Sequence, residues 1–204
     1  MRQSALRTSP QNSQKQTTLR SQRSLRSHDR IALRTAEVPE AKKLHALIQA
    51  NLEEGHLLPR TLSELVVHAE RFVIAVRGSK IVGCAELARL SPHVAEVRSL
   101  AVDGFNRGRG VGTQLVDELR RRARGEGFEK LCAFTHTPGY FIQIGFSIVP
   151  HLWLPEKIFT DCFKCPQFRQ CGQYAMVVPL DQLRVRPLES MVDGAQPATV
   201  ARYA

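Results

Sequence analysis

The stretch Arg107-Gly108-Arg109-Gly110-Val111-Gly112-Thr113 is the sharpest chemical signal in the chain. It follows a run of strand character and opens a run of helical character. Such a junction gathers backbone N–H groups that have no partner and the positive end of a helix dipole. Glycines let the backbone approach an anion closely and take up φ angles closed to other residues. A pyrophosphate suits this site. No Gly-Lys-Ser/Thr follows, which disfavours a Walker A loop, and the G-x-G-x-G spacing is not the dinucleotide G-x-G-x-x-G. Two plainer readings stay open: an Arg-Gly stretch that contacts RNA, and a tight loop with no ligand.

Glu96 and Arg98 stand two residues apart in the strand-like run before this loop. Alternate strand residues share a face, so a carboxylate and a guanidinium lie side by side there. Cys162-x-x-Cys165 and Cys171 invite a metal reading. Zinc wants four ligands, and a fourth would have to come from His151 or Asp161. The reading adopted is unpaired thiols packed against the sheet, with no metal. Cys84 and Cys132, in apolar runs, are core fillers.

These residues need elements to hold them. Ile31 to Ala36 alternates as a first strand. Leu44, Leu47 and Ile48 mark one face of a helix over Val38 to Leu52, with Gly55 at its end. Thr61-Leu62-Ser63-Glu64 is a capping box that opens a second helix running to about Glu70. Phe72–Val76 and Ile81–Leu90 flank a turn signal and form a hairpin, and Val94–Val102 is a third run. Val111, Leu115 and Leu119 stripe a helix over Val111 to Arg124. Lys130–Thr135, Gly145–Val149 and Ala175–Leu180 read as strands, with a short helix over Pro138–Ile144. The order is β-α-α-β-β-β-α-β-α-β, then a cysteine-containing segment and a last strand. This is an α/β fold with a mixed, mainly antiparallel sheet flanked by helices.

The chain has 204 residues, 43% hydrophobic and 24% charged, ordinary for one globular domain. No apolar run reaches the ~20 residues of a membrane-spanning helix. Five cysteines and no secretory hydrophobic stretch fit a reducing, cytoplasmic compartment. The net charge is +10, but residues 1–30 carry seven basic residues against one acid, Asp29, so six of those charges sit there. This Ser/Arg-rich stretch has too little apolar surface to order itself and is expected to be a disordered arm. An organelle transit peptide is its alternative. Residues 31–180 form the domain, and 181–204 a tail.

Arg107-x-x-Gly110-x-Gly112 after a strand resembles the acetyl-CoA pyrophosphate signature of the GNAT N-acetyltransferase superfamily. Glu96 to Val102 and Tyr140 to Phe146 resemble that superfamily's core on either side of the loop. More narrowly, Leu57-Leu58-Pro59-Arg60, Leu154-Pro155-Glu156-Lys157 and Asp161-Cys162-x-x-Cys165-Pro166 resemble the short N-acetylglutamate synthase-like group.

The resemblance implies acetyl-CoA as cosubstrate. Leu100, Ala101 and Val102 would run beside its pantetheine arm, and residues Arg107 to Thr113 would hold its phosphates. The acceptor is an amine, which attacks only when neutral, so a base must take its proton directly or through water. The resemblance puts Glu96 in that role. An acidic amino acid also brings carboxylates, which a guanidinium grips with two parallel hydrogen bonds. Arg60 and Arg98 are the candidates, with His136 as a further one. Many family members place a tyrosine acid at the start of Tyr-x-x-x-Gly-Phe. Here that position is Phe141, with Tyr140 just before it as the catalytic candidate. The synthases tend to carry Arg-Ser where this chain has His136-Thr137.

The function so implied is transfer of acetyl to a small amino acid, L-glutamate first, as in the opening step of arginine biosynthesis. A protein lysine or N-terminus is the alternative acceptor. A noncatalytic nucleic-acid binder using the basic arm is the alternative of another class, disfavoured because no aromatic is interleaved in the arm. A homodimer is left open, and no membrane partner is expected.

Overall fold

The computed structural model describes residues 30–52 and 57–180. The expected arm, the tail and Gly55 therefore lie outside the described residues, apart from Arg30. Seven strands form one sheet: β1 (Ile31–Thr35), β2 (Phe72–Arg77), β3 (Lys80–Arg89), β4 (Val94–Val102), β5 (Lys130–Thr135), β6 (Ser147–Val149) and β7 (Tyr174–Pro179). Their spatial order is β1-β2-β3-β4-β5-β7-β6. Among the described residues only β4 and β5 pair in parallel. The helices are α1 (Ala41–Leu52), α2 (Leu62–His68), α3 (Val111–Gly125), α4 (Pro138–Gln143) and α5 (Pro155–Thr160).

Strand alternation divides the core between two faces. Val73, Ala75, Val82 and Leu87 meet Val111, Leu115, Val116 and Leu119 of α3 on one face. Phe72, Ile74, Ile81, Cys84 and Ala101 meet Leu44 and Ile48 of α1 and Leu65 of α2 on the other. The α3 stripe is the one read from spacing, and α3 is the crossover that makes β4 and β5 parallel. The capping box at α2 is present: Thr61 Oγ1 accepts from Glu64 N at 3.3 Å, and Thr61 N donates to Glu64 Oε2 at 2.8 Å.

Three boundaries differ from the sequence reading by more than one residue. The first helix begins as a 3-10 turn over Val38–Glu40, with Pro39 in its first turn. The second ends at His68 and tightens into a 3-10 turn over Ala69–Arg71. β6 starts at Ser147 rather than Gly145, because Gly145 sits at φ 89° and turns the chain before the strand begins. The last strand, β7, does not extend the sheet in chain order. It inserts between β5 and β6, and so brings α5 and the cysteine segment back over the site.

Two features open the sheet at its centre. The β4–β5 pairing stops at Val97↔Ala133, although β4 runs on to Val102 and β5 to Thr135. The β3–β4 register passes from Glu86↔Arg98 to Cys84↔Ala101, leaving Ser99 and Leu100 opposite Ala85. Ser99 takes φ 50° at this bulge, a left-handed conformation that costs a β-carbon-bearing residue about 1–3 kcal/mol. The bulge turns the second half of β4 away from β5, and the strands splay.

Candidate active site

Two cavities adjoin at the splay. One, of about 540 Å³, lies over the start of α3. The other, of about 900 Å³, lies between β3, β4, the start of α2 and the segment after β6. Leu57, Val97, Ser99 and Phe134 line both, so they form the shared wall.

The smaller cavity is built around the glycine loop. Gly108 and Gly110 adopt φ 69° and 75°, and Gly110 is the N-cap of α3. Gln114 N is the first amide to bond back into the helix, onto Gly110 O at 3.0 Å. The amides of Val111, Gly112 and Thr113 therefore have no acceptor inside the helix. The Arg107 side chain also holds the protein together. Its Nε donates to Val102 O at 3.0 Å and its Nη2 to Asn51 Oδ1 at 2.6 Å, which ties the loop to β4 and α1. Gly112 is a glycine for reasons of space: a β-carbon there would stand 3.0 Å from Tyr140 Oη. Tyr140 lines this cavity, and its buried hydroxyl has no hydrogen-bond partner among the described residues. Burial pushes its pKa above the usual phenol value. Phe141, at the position where the family motif starts, is committed to the core edge-on against Phe146 at 5.1 Å.

The larger cavity has a charged floor. Glu96 is 3% exposed. Its Oε1 accepts from Lys157 Nζ at 2.7 Å, and its Oε2 from Lys157 Nζ at 2.9 Å and Arg98 Nε at 2.6 Å. Asp161 closes the cluster, accepting from Lys157 Nζ at 2.8 Å and from Arg98 Nη2. Burial alone would lower the Arg98 pKa, but Glu96 and Asp161 hold it above its usual value. A second buried carboxylate, Glu86, is 1% exposed and accepts from Arg60 Nη1 at 2.7 Å. The same Arg60 Nη1 reaches Ser99 Oγ at 3.2 Å.

Of the residues singled out from sequence, Arg60, Glu96 and Arg98 line the larger cavity. Leu100, Val102, Arg107, Gly108, Gly110, Val111, Gly112, Thr113 and Tyr140 line the smaller. Ala101 points the other way, into the core under α1. Arg109 and His136 line neither cavity, and His136 is exposed beside Gly172. Cys162, Cys165 and Cys171 are free thiols on the rim of the larger cavity. Among the described residues no cluster of His, Cys, Asp and Glu is arranged to hold a metal. Glu86, Lys157 and Ser99 also line the larger cavity, and the sequence assigns none of them a role of its own. Two charged residues inside otherwise apolar or short helical runs were the signal available for the first two.

A model of the acetyltransferase (GNAT) family matches residues 35–146. The chain is a GNAT acetyltransferase. It is 29% identical over 148 residues to an uncharacterized N-acetyltransferase of Chlorobaculum tepidum, covering 72% of this chain and 96% of that protein. It is 28% identical over 131 residues to the amino-acid acetyltransferase of Mycobacterium tuberculosis, covering 63% and 73% of the two chains. The N-acetylglutamate synthase of Neisseria gonorrhoeae, solved with coenzyme A and N-acetyl-glutamate, superposes with TM-score 0.67 at 26% identity, over 75% of this chain and 36% of that one. The chain thus spans about a third of the gonococcal synthase, and 30% of the amino-acid acetyltransferase of Neisseria meningitidis.

This GNAT acetyltransferase is an acetyl-CoA-dependent N-acetyltransferase. Its own residues fit that cosubstrate. The left-handed glycines and the three amides at the start of α3 suit a diphosphate. The splay leaves backbone of β4 beyond Val97 without a β5 partner to meet the pantetheine arm. The orphaned Tyr140 hydroxyl lies in the same cavity. No helix among the described residues is long and apolar enough to cross a membrane.

Proposed function

We propose that this acetyltransferase acetylates the α-amino group of a small amino acid, with L-glutamate the leading acceptor, as in the first step of arginine biosynthesis. The observation that carries this reading is the shared wall. The cavity over the glycine loop adjoins, at Ser99, Val97 and Phe134, a second cavity whose floor pairs Arg60, Arg98 and Lys157 with Glu86, Glu96 and Asp161. Paired cations and carboxylates on one floor suit the carboxylate and ammonium of a free amino acid better than an extended peptide. The likeness to the gonococcal synthase and to the amino-acid acetyltransferases supports it.

In this reading Arg107 to Thr113 position the diphosphate, which when bound presents an activated acetyl group at the shared wall. Arg98 and Lys157 receive the acceptor's carboxylate in place of Asp161, which at 33% exposure is the most accessible member of their cluster. Arg60 offers a second guanidinium on the other side of Ser99. Glu96 takes the amine's proton directly or through a water. Tyr140 protonates the departing thiolate from the coenzyme side. Its displacement by one residue from the family's tyrosine position is compensated by its packing on Gly112. His136, exposed and outside both cavities, has no part in the binding.

The test is a panel of amino acids and lysine-containing peptides with acetyl-CoA, following thiol release and identifying the product by mass. Thiol release confined to one or a few free amino acids, glutamate among them, is expected. Release only with peptides would overturn the proposed acceptor.

A further inference from the structure

We infer that Glu86 is the residue that holds the acceptor's amine, and so makes the site bind an amino acid in preference to a dicarboxylate that lacks the amine. This inference rests on the acetyl-transfer reading of the site and adds a role for a residue that reading leaves unused.

Two buried carboxylates on this floor differ in what they already hold. Both oxygens of Glu96 accept from cations, through three hydrogen bonds of 2.6 to 2.9 Å. An ionised carboxylate has about four acceptor sites in all, so Glu96 keeps about one, which serves the transfer of the amine's proton and not the holding of the amine. Glu86 is different. Its Oε2 accepts from Arg60 at 2.7 Å. Its Oε1 has only the His68 Nδ1 at 3.5 Å among the described residues, too long for a strong bond, and the His68 side chain is 47% exposed. Glu86, with spare acceptor capacity on one oxygen and 1% exposure, thus lines the acceptor cavity.

Position supports the same assignment. Glu86 and Arg98 are direct partners in the β3–β4 register. Directly opposed strand residues have α-carbons about 5 Å apart, with their side chains on one face. An anion and a cation side by side at that spacing match the ammonium and carboxylate of one α-amino acid. Glu86 is also tied to the shared wall, since the guanidinium it holds donates to Ser99 at the bulge. An amine on Glu86 Oε1 is therefore delivered towards the splay. Burying an ammonium without a counter-charge is strongly unfavourable, so a carboxylate with a free oxygen is the group this cavity needs.

The experiment compares calorimetric binding of L-glutamate and glutarate, which has both carboxylates and no amine, to the coenzyme A-loaded protein. The wild-type protein is expected to prefer L-glutamate. Glu86→Gln should reduce that preference about tenfold or more, the scale of one hydrogen bond to a charged group. Its affinity for coenzyme A should be unchanged, which shows that the fold is intact. Glu86→Asp should keep part of the preference. The double variant Glu86→Gln/Arg60→Gln, which leaves no unpaired guanidinium, should still lack it. An undiminished preference in Glu86→Gln overturns the role of Glu86 and leaves the acetyl-transfer reading standing. Absence of L-glutamate binding by the wild-type protein overturns glutamate as acceptor, and this inference with it.

Discussion

Lys157 and Glu96, 61 residues apart in sequence, meet with Nζ 2.7 Å from Oε1 and 2.9 Å from Oε2. Through this contact α5 and the cysteine segment are docked over β4. Lys157 is nearly buried and also lies 5.0 Å from the Phe134 ring centroid at the shared wall. Lys157→Ala removes a cation from a buried carboxylate, leaving Arg98 as its remaining partner. A loss of about 2–3 kcal/mol of stability is expected, below the value for a wholly unpaired charge. Denaturant unfolding measures it, and Lys157→Arg should recover most of the loss.

Gly112 and Tyr140 predict a coupled effect. Gly112→Ala adds a β-carbon 3.0 Å from the Tyr140 hydroxyl, so the ring must move. Coenzyme A affinity should fall several-fold with little change in melting temperature. Tyr140→Phe should instead leave that affinity nearly intact and lower kcat by about 10- to 100-fold, as expected for loss of a general acid. The alkaline limb of its pH–rate profile should flatten, since burial holds the Tyr140 pKa high.

Acid sensitivity follows from two surface carboxylates. Arg34 holds Glu40, and Arg121 with Arg122 holds Glu118, at a pKa of about 2 against an ordinary 4.5. A carboxyl with a depressed folded-state pKa binds fewer protons folded than unfolded. Its stabilisation is complete above about 4.5 and is lost as the pH falls through 4.5 towards 2. Melting temperature should therefore drop over that window, and Glu118→Gln should show a shallower drop. An equal slope in the variant would remove Glu118 from the effect.

Much of this site was legible in the chain before its structure. Glycine spacing and position, between a strand and a helix stripe, suffice to place the loop, because both signals are local. Glu96 and Arg98 were legible as face-sharing neighbours for the same reason. Glu86 was not, because a lone glutamate inside the apolar run of β3 carries no sign that Arg60 will meet it 26 residues away. Lys157 is legible only as part of a motif, since its partner Glu96 lies 61 residues away. The bulge at Ser99 has no sequence signature: a serine at φ 50° is imposed by the β3–β4 register and not by local preference. The contacts of Arg107 to Val102 and Asn51 also make it a brace for the loop, which the local spacing does not reveal. The insertion of β7 between β5 and β6 is a topological choice that periodicity alone does not encode.

The central claim is that the amides at the start of α3 hold the diphosphate of acetyl-CoA. Calorimetric titration of coenzyme A into the wild-type protein and into Gly110→Asp tests it most directly. Gly110 is a left-handed N-cap, so aspartate there adds both strain and a negative charge against the diphosphate. One site per chain is predicted for the wild-type protein, with affinity at least about tenfold weaker in the variant. Equal affinities, or no heat with the wild-type protein, would contradict the account.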